Sequence, residues 1–363
     1  MDGPASDGEP CGAPAGADGG DLHTLVVGRD AMACRFEIVF NAGEVADATA
    51  LAVEALDLVD EIESRITVYR DESALTRLNA AAAAGWQPVD ADLLQLLLLA
   101  RAQGERTGGA FDMAAGSLVR TWGFLRRQGR TPTPEDLERA RAAAGMRHVE
   151  IDEAGRRVRF TRPGIELNPG AIGKGWALDR VMDLLRDRGV DNALVHGGAS
   201  SVRARGVHGP GLPGRRGWAV GVRHPLRPGR RLATVYLADA ALGTSGSGTQ
   251  FFIDRGRRLG HILDPRSGLP AAGVLSATVI AGSAAEADSL STALYVLGPA
   301  GLDTIAPAGG DVAAILVVPG AAAGAVRVLA ANLPDDAWAV ERGDGVEFGA
   351  TGAAEPRRAG GTR

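Results

Sequence analysis

Asn168-Pro169-Gly170-Ala171-Ile172-Gly173-Lys174-Gly175 is a glycine-dense turn leading into a helix-like stretch, Trp176 to Arg188, that Gly189 stops. Two common phosphate-binding α/β folds would declare themselves at such a turn. A Walker A loop needs glycine where Asn168 stands and Ser or Thr where Gly175 stands, and this chain has neither. No G-x-G-x-x-G follows a predicted strand, so a dinucleotide-binding crossover has no support either.

The flanking sequence points the same way. Upstream, His148–Asp152 and Arg157–Thr161 frame an Asp-Glu-Ala-Gly turn and read as a hairpin. Downstream, Asn192–Val195, Val202–Arg205, Trp218–Val222, Leu232–Leu237, Phe251–Ile253, Leu275–Ile280 and Ala313–Val318 read as short strands. Residues 24–40 look like a strand pair, and Gly206–Gly217 like an exposed loop. Helical spacing marks 46–66, 91–105 with Asp90 as N-cap, 135–144, 284–297 and 321–332. Helices and strands alternate irregularly, with hairpins in place of βαβ units. The expectation is α+β: mixed β-sheets with packed helices.

The same turn holds the chain's one lysine, Lys174, against 38 arginines. Arginine replaces lysine readily on a solvated surface, but not where a compact three-donor charge must fit among phosphates or carbonyls. Consecutive backbone N–H groups entering a helix also suit an anionic ligand.

Composition narrows the function classes. Net charge is −5, with no basic stripe interleaved with aromatics, so nucleic acid is not expected as a partner. The longest apolar run, Leu93–Ala100, is interrupted by Gln95 and far too short to span a bilayer, so no membrane insertion is expected. Cys11 and Cys34 are too few for a disulfide framework. The acidic, Gly/Ala/Asp/Pro-rich start lacks the n- and h-regions of a secretory signal, which makes the protein cytoplasmic by expectation. Residues 1–23 and 350–363 read as disordered tails around one domain, 24–349.

Three further segments carry side chains suited to chemistry. In Ala287-Asp288-Ser289-Leu290-Ser291-Thr292-Ala293, Asp288 and Thr292 at i, i+4 share a helix face. Together they are hard oxygen donors for a hydrated Mg²⁺, although a helix cap and a small-residue packing contact would use the same residues. In His261-Ile262-Leu263-Asp264-Pro265-Arg266-Ser267-Gly268, the histidine is a general-base candidate just before a turn. Thr107-Gly-Gly-Ala-Phe-Asp112 is a small-residue loop that can admit a planar ring beside its backbone.

In order, Met32-Ala-Cys, Tyr69, Thr107–Asp112, Gly170–Gly175, Thr244-Ser-Gly246, His261–Gly268 and Ala287–Thr292 resemble the ApbE family of Mg²⁺-dependent FAD:protein FMN transferases. The resemblance covers residues 25–335. It implies FAD contacts at Met32, Tyr69, Ala110, Phe111, Asp112, Asn168, Lys174 and Ile262. It also implies Mg²⁺ held by the Ala171 carbonyl and by the side chains of Asp288 and Thr292. The implied reaction moves FMN from FAD to a threonine or serine of an acceptor protein and releases AMP, with His261 and Lys174 as catalytic candidates. Two alternatives stay open: FAD hydrolysis to FMN and AMP, and FAD binding without turnover. The chain departs from the family pattern at Asn168, Pro169 and Ser291, and in reading His196-Gly-Gly-Ala-Ser-Ser201 where many members have Gly-Gly-Asp.

Overall fold

The computed structural model describes residues 23–209, 217–227, 229–246, 248, 250–341, 343 and 345–349. Both expected tails lie outside these residues except for His23, as does most of the 206–217 loop. A nine-stranded sheet forms the centre, and its spatial order is its chain order. The strands are β1 (Thr24–Ala31), β2 (Cys34–Asn41), β3 (Ala193–Gly197), β4 (Ser201–Arg205), β5 (Ala241–Gly246), β6 (Ser276–Ala281), β7 (Ala313–Pro319), β8 (Val326–Ala331) and β9 (Val346–Gly349). Every neighbouring pair is antiparallel except the last, β8 with β9. The sheet is mixed and not doubly wound, in line with the α+β expectation.

Alternation along the strands builds two cores. Phe36, Ile38 and Phe40 of β2 and Ala277 and Val279 of β6 face the helical layer. Leu194, Val202, Leu242, Ile315 and Val317 face the other way, onto a small sheet of Trp218–Arg223, Arg231–Leu237 and Trp338–Val340.

The helices of six residues or more are α1 (Ala48–Ile66), α2 (Ala74–Ala81), α3 (Ala91–Arg106), α4 (Gly116–Thr121), α5 (Pro134–Ala142), α6 (Gly173–Asp187) and α7 (Ala284–Leu297). The central helix α7 lies on β5 and β6, α6 lies against α7, and α1 against α6. Two close approaches make this stacking possible. A Cβ on Gly175 of α6 would sit 2.1 Å from the Ala284 carbonyl oxygen, and one on Gly243 of β5 would sit 2.5 Å from the Ala287 carbonyl carbon. Both helix–helix and helix–sheet contacts therefore run backbone to backbone.

Two sequence expectations need correction. Residues 321–332 are not a helix: Val326–Ala331 is strand β8, paired with β7 in the register Val317↔Val328. The alternating β-branched Val326 and Val328 fit a pleated sheet, and Ala321–Gly324 supply the turn. The lysine turn also ends earlier than expected. The helix begins at Gly173, which puts Lys174 and Gly175 in its first turn. Helix α2 was not anticipated, although Ser73 caps it by accepting from the Thr76 N–H.

Candidate active site

The C-terminal ends of α1 and β1, the 107–115 loop, the start of α6 and the middle of α7 converge on one cavity of about 510 Å³. All twelve residues singled out from the sequence line it. Met32, Tyr69, Ala110, Phe111, Asp112 and Ile262 are there. So are Asn168, Ala171, Lys174, His261, Asp288 and Thr292.

Asp288 is the electrostatic centre. It is buried on α7, and its Oδ2 accepts from the Gly175 N–H at 2.8 Å and the Ser201 hydroxyl at 3.0 Å. Burial pushes its carboxyl up to about 6, with the positive charge of Lys174 and the two hydrogen bonds opposing the rise. Four residues along, the Thr292 hydroxyl lies 3.0 Å from Ser245 Oγ, which is also 2.9 Å from Ser291 Oγ. Ser201 and Ser245 escaped the sequence reading. Each belonged to a quoted segment, but a serine hydroxyl gives no sequence signal of what it will meet across a sheet.

Lys174 is half-buried, and its field also reaches His261 and Cys34. Burial pushes the His261 imidazolium down, and Lys174 adds to the effect. His261 Nδ1 lies 3.1 Å from the Gln250 carbonyl, an acceptor only, so in the neutral ring Nδ1 carries the proton and Nε2 the lone pair. The residues set apart for FAD serve the wall in different ways. Phe111 and Ala110 are almost wholly buried, whereas Tyr69 is 72% exposed. The Asp112 carboxylate accepts the Ala114 N–H at 2.8 Å and the Met146 N–H, holding the loop; burial raises its pKa. Asn168 Oδ1 accepts the Gly170 N–H at 2.9 Å and shapes the entry to α6. Met32 and Ala33 have positive φ, of 49° and 59°, as the β1–β2 hairpin turn requires. Glu63, also on the wall, accepts the Met32 N–H at 2.8 Å.

Among the described residues no group of three or more His, Cys, Asp or Glu side chains is placed to hold a metal ion. A cation between Asp288 and Thr292 would meet one carboxylate, hydroxyls and backbone carbonyls. These hard oxygen donors suit Mg²⁺ that keeps open positions for phosphate oxygens.

The family model described as "ApbE family" matches residues 32–316, most of the chain. The chain belongs to the ApbE family. Its relatives include the FAD:protein FMN transferase of Treponema pallidum, 33% identical over 275 residues, which covers 73% of this chain and 76% of the relative. The FAD:protein FMN transferase of Escherichia coli K12 is 30% identical over 247 residues, 66% of this chain and 69% of the relative. Among solved structures, the ApbE protein of Thermotoga maritima superposes with a TM-score of 0.73 at 30% identity, covering 83% of this chain and 96% of that one. The flavin transferase ApbE of Vibrio cholerae gives 0.74 at 26% identity, covering 86% and 98%. This ApbE chain thus shares both sequence and fold with flavin transferases over the region that builds the cavity.

Proposed function

We propose that the chain is an FAD:protein FMN transferase. It moves FMN from FAD to a threonine or serine hydroxyl of an acceptor protein and releases AMP, with Mg²⁺ as the metal. The observation that carries this reading is the convergence of Lys174, His261, Asp288 and Thr292 on one cavity, in a chain whose relatives carry that activity name.

In this reaction the acceptor oxygen bonds to the FMN-side phosphorus as the bridging P–O bond breaks, and AMP departs with the electron pair. Asp288, Thr292 and the Ala171 carbonyl would hold Mg²⁺, which when bound neutralises charge on the diphosphate. Lys174 adds a second positive charge from the first turn of α6. His261 takes the hydroxyl proton at Nε2. The depressed imidazolium pKa keeps that nitrogen free at neutral pH, and the Gln250 carbonyl fixes the tautomer. Phe111, Ala110 and Ile262 give the cavity an apolar wall beside which a planar ring can lie.

The test is AMP release from FAD by the purified chain in the presence of a threonine-bearing acceptor, with Mg²⁺ or with a chelator. Release that stops with the chelator supports the reading. FAD bound and intact in both conditions would refute it.

A further inference from the structure

A transferase that modifies proteins must present a surface to its acceptor beside the cavity mouth. Seven large apolar residues are exposed among the described residues; one of them lines the cavity, and three more stand on segments that lead away from its wall. Tyr69 lines it. Leu269 closes the turn that supplies Leu263 and Pro265 to its wall. Phe251 and Ile253 stand on a hairpin, Phe251–Asp254 with Arg257–Gly260, whose two ends are continued by the lining residues Gln250 and His261.

This hairpin is a separate two-stranded sheet, and its two faces differ. Phe252 turns inward, with its ring centroid 5.7 Å from that of Phe124 and 6.3 Å from that of Trp122. Phe251 and Ile253 turn outward, 44% and 69% exposed, and Arg258 lies over the Phe251 ring at 3.9 Å. Arg255 and Arg257 are exposed at the same tip. Natural proteins blunt free strand edges and keep apolar side chains off them. Here an anchored, edge-exposed hairpin shows aromatic, aliphatic and guanidinium groups, the combination enriched where proteins bind one another.

We infer that the Phe251–Gly260 hairpin docks the acceptor protein. Resting on the transferase reading above, it takes an extended segment that flanks the hydroxyl to be modified and that carries apolar and acidic side chains. Strand addition along the hairpin edge supplies main-chain hydrogen bonds. Phe251 and Ile253 receive the apolar side chains, and Arg255, Arg257 and Arg258 select carboxylates. The hairpin base then hands the segment to His261, the proposed base.

The experiment uses the full chain, FAD, Mg²⁺ and a library of unstructured peptides, each with one threonine or serine. Covalent flavin on each peptide is read by mass. Ile253→Ser alters a surface side chain without touching the inward Phe252, and Arg257→Glu reverses one charge at the tip. Labelled peptides should be enriched in acidic and apolar residues next to the hydroxyl. Ile253→Ser should lower kcat/KM for the best peptide about tenfold through KM. Arg257→Glu should remove the acidic preference, and both variants should keep wild-type FAD affinity and AMP release to water. Wild-type labelling with the same kcat/KM and preferences in both variants overturns the docking surface alone. No labelling by the wild type overturns the transferase reading along with it.

Discussion

Replacing Asp288 by asparagine isolates the cost of burying the site's carboxylate. In the metal-free protein that carboxyl titrates near about 6, against 3.8 in an open chain. The folded value is the higher one, so folding favours the neutral form. The contribution of Asp288 to stability is therefore fully present below pH 3.8 and is lost as pH rises through about 6. The interval of about two pH units is worth about 3 kcal/mol. Asparagine stays neutral at every pH, and its side-chain oxygen can still accept from the Gly175 N–H and the Ser201 hydroxyl. With a chelator present, urea unfolding should find Asp288→Asn more stable than wild type, by about 3 kcal/mol near about pH 8 and by clearly less near about pH 5. Adding Mg²⁺ at the higher pH should stabilise wild type alone and narrow the gap. A stability difference that stays flat between these pH values would refute the reasoning, because it would mean that folding does not shift the carboxyl.

Gly175→Ala places a methyl 2.1 Å from the Ala284 carbonyl oxygen, where ordinary contact begins at 3.4 Å, so α6 and α7 must separate by more than about 1 Å. It should cost about 2–3 kcal/mol in urea unfolding and weaken FAD binding. His261→Ala should slow transfer about 10²- to 10³-fold while FAD affinity holds. In the wild type the base must be neutral, and its pKa is depressed below 6.5, so activity should fall on the acid side of that value; at saturating Mg²⁺, which keeps Asp288 ionised, the variant should lose this limb. Lys174→Arg should keep the melting temperature and lose tenfold or more in AMP release, since a planar guanidinium does not replace a compact ammonium at a diphosphate. Full activity in that variant would make the lone lysine an accident of composition.

The parts of the fold legible in the sequence were those with a local signal. Asp90 and the apolar period after it mark α3, and the structure shows the cap bonding the Leu93 N–H at 2.9 Å. The strand pair at residues 24–40 and the 149–160 hairpin were read from alternation and turn residues. The stretch 321–332 misled because its alanines score as helix formers, whereas pairing with β7 decides the outcome. Helix α6 begins before its apolar pattern does, since Gly173 packs against Pro169 and Ile66 of α1 and Gly175 lets α7 approach, and close approach leaves no periodic trace. In the site, Asp288 and Thr292 were legible as an i, i+4 pair because helix geometry alone puts them on one face. The serines at 201 and 245 were not, because strands far apart in sequence bring their hydroxyls to α7.

The central claim is that the cavity passes FMN to a protein hydroxyl. The most direct measurement is the ratio of AMP released to FMN covalently bound, with FAD, Mg²⁺ and a threonine-bearing acceptor domain. Transfer gives one covalent flavin on the acceptor for each AMP released above the acceptor-free rate, and none when the threonine is replaced by valine. AMP accompanied only by free FMN, with the acceptor unlabelled, would contradict it and make the chain a hydrolase.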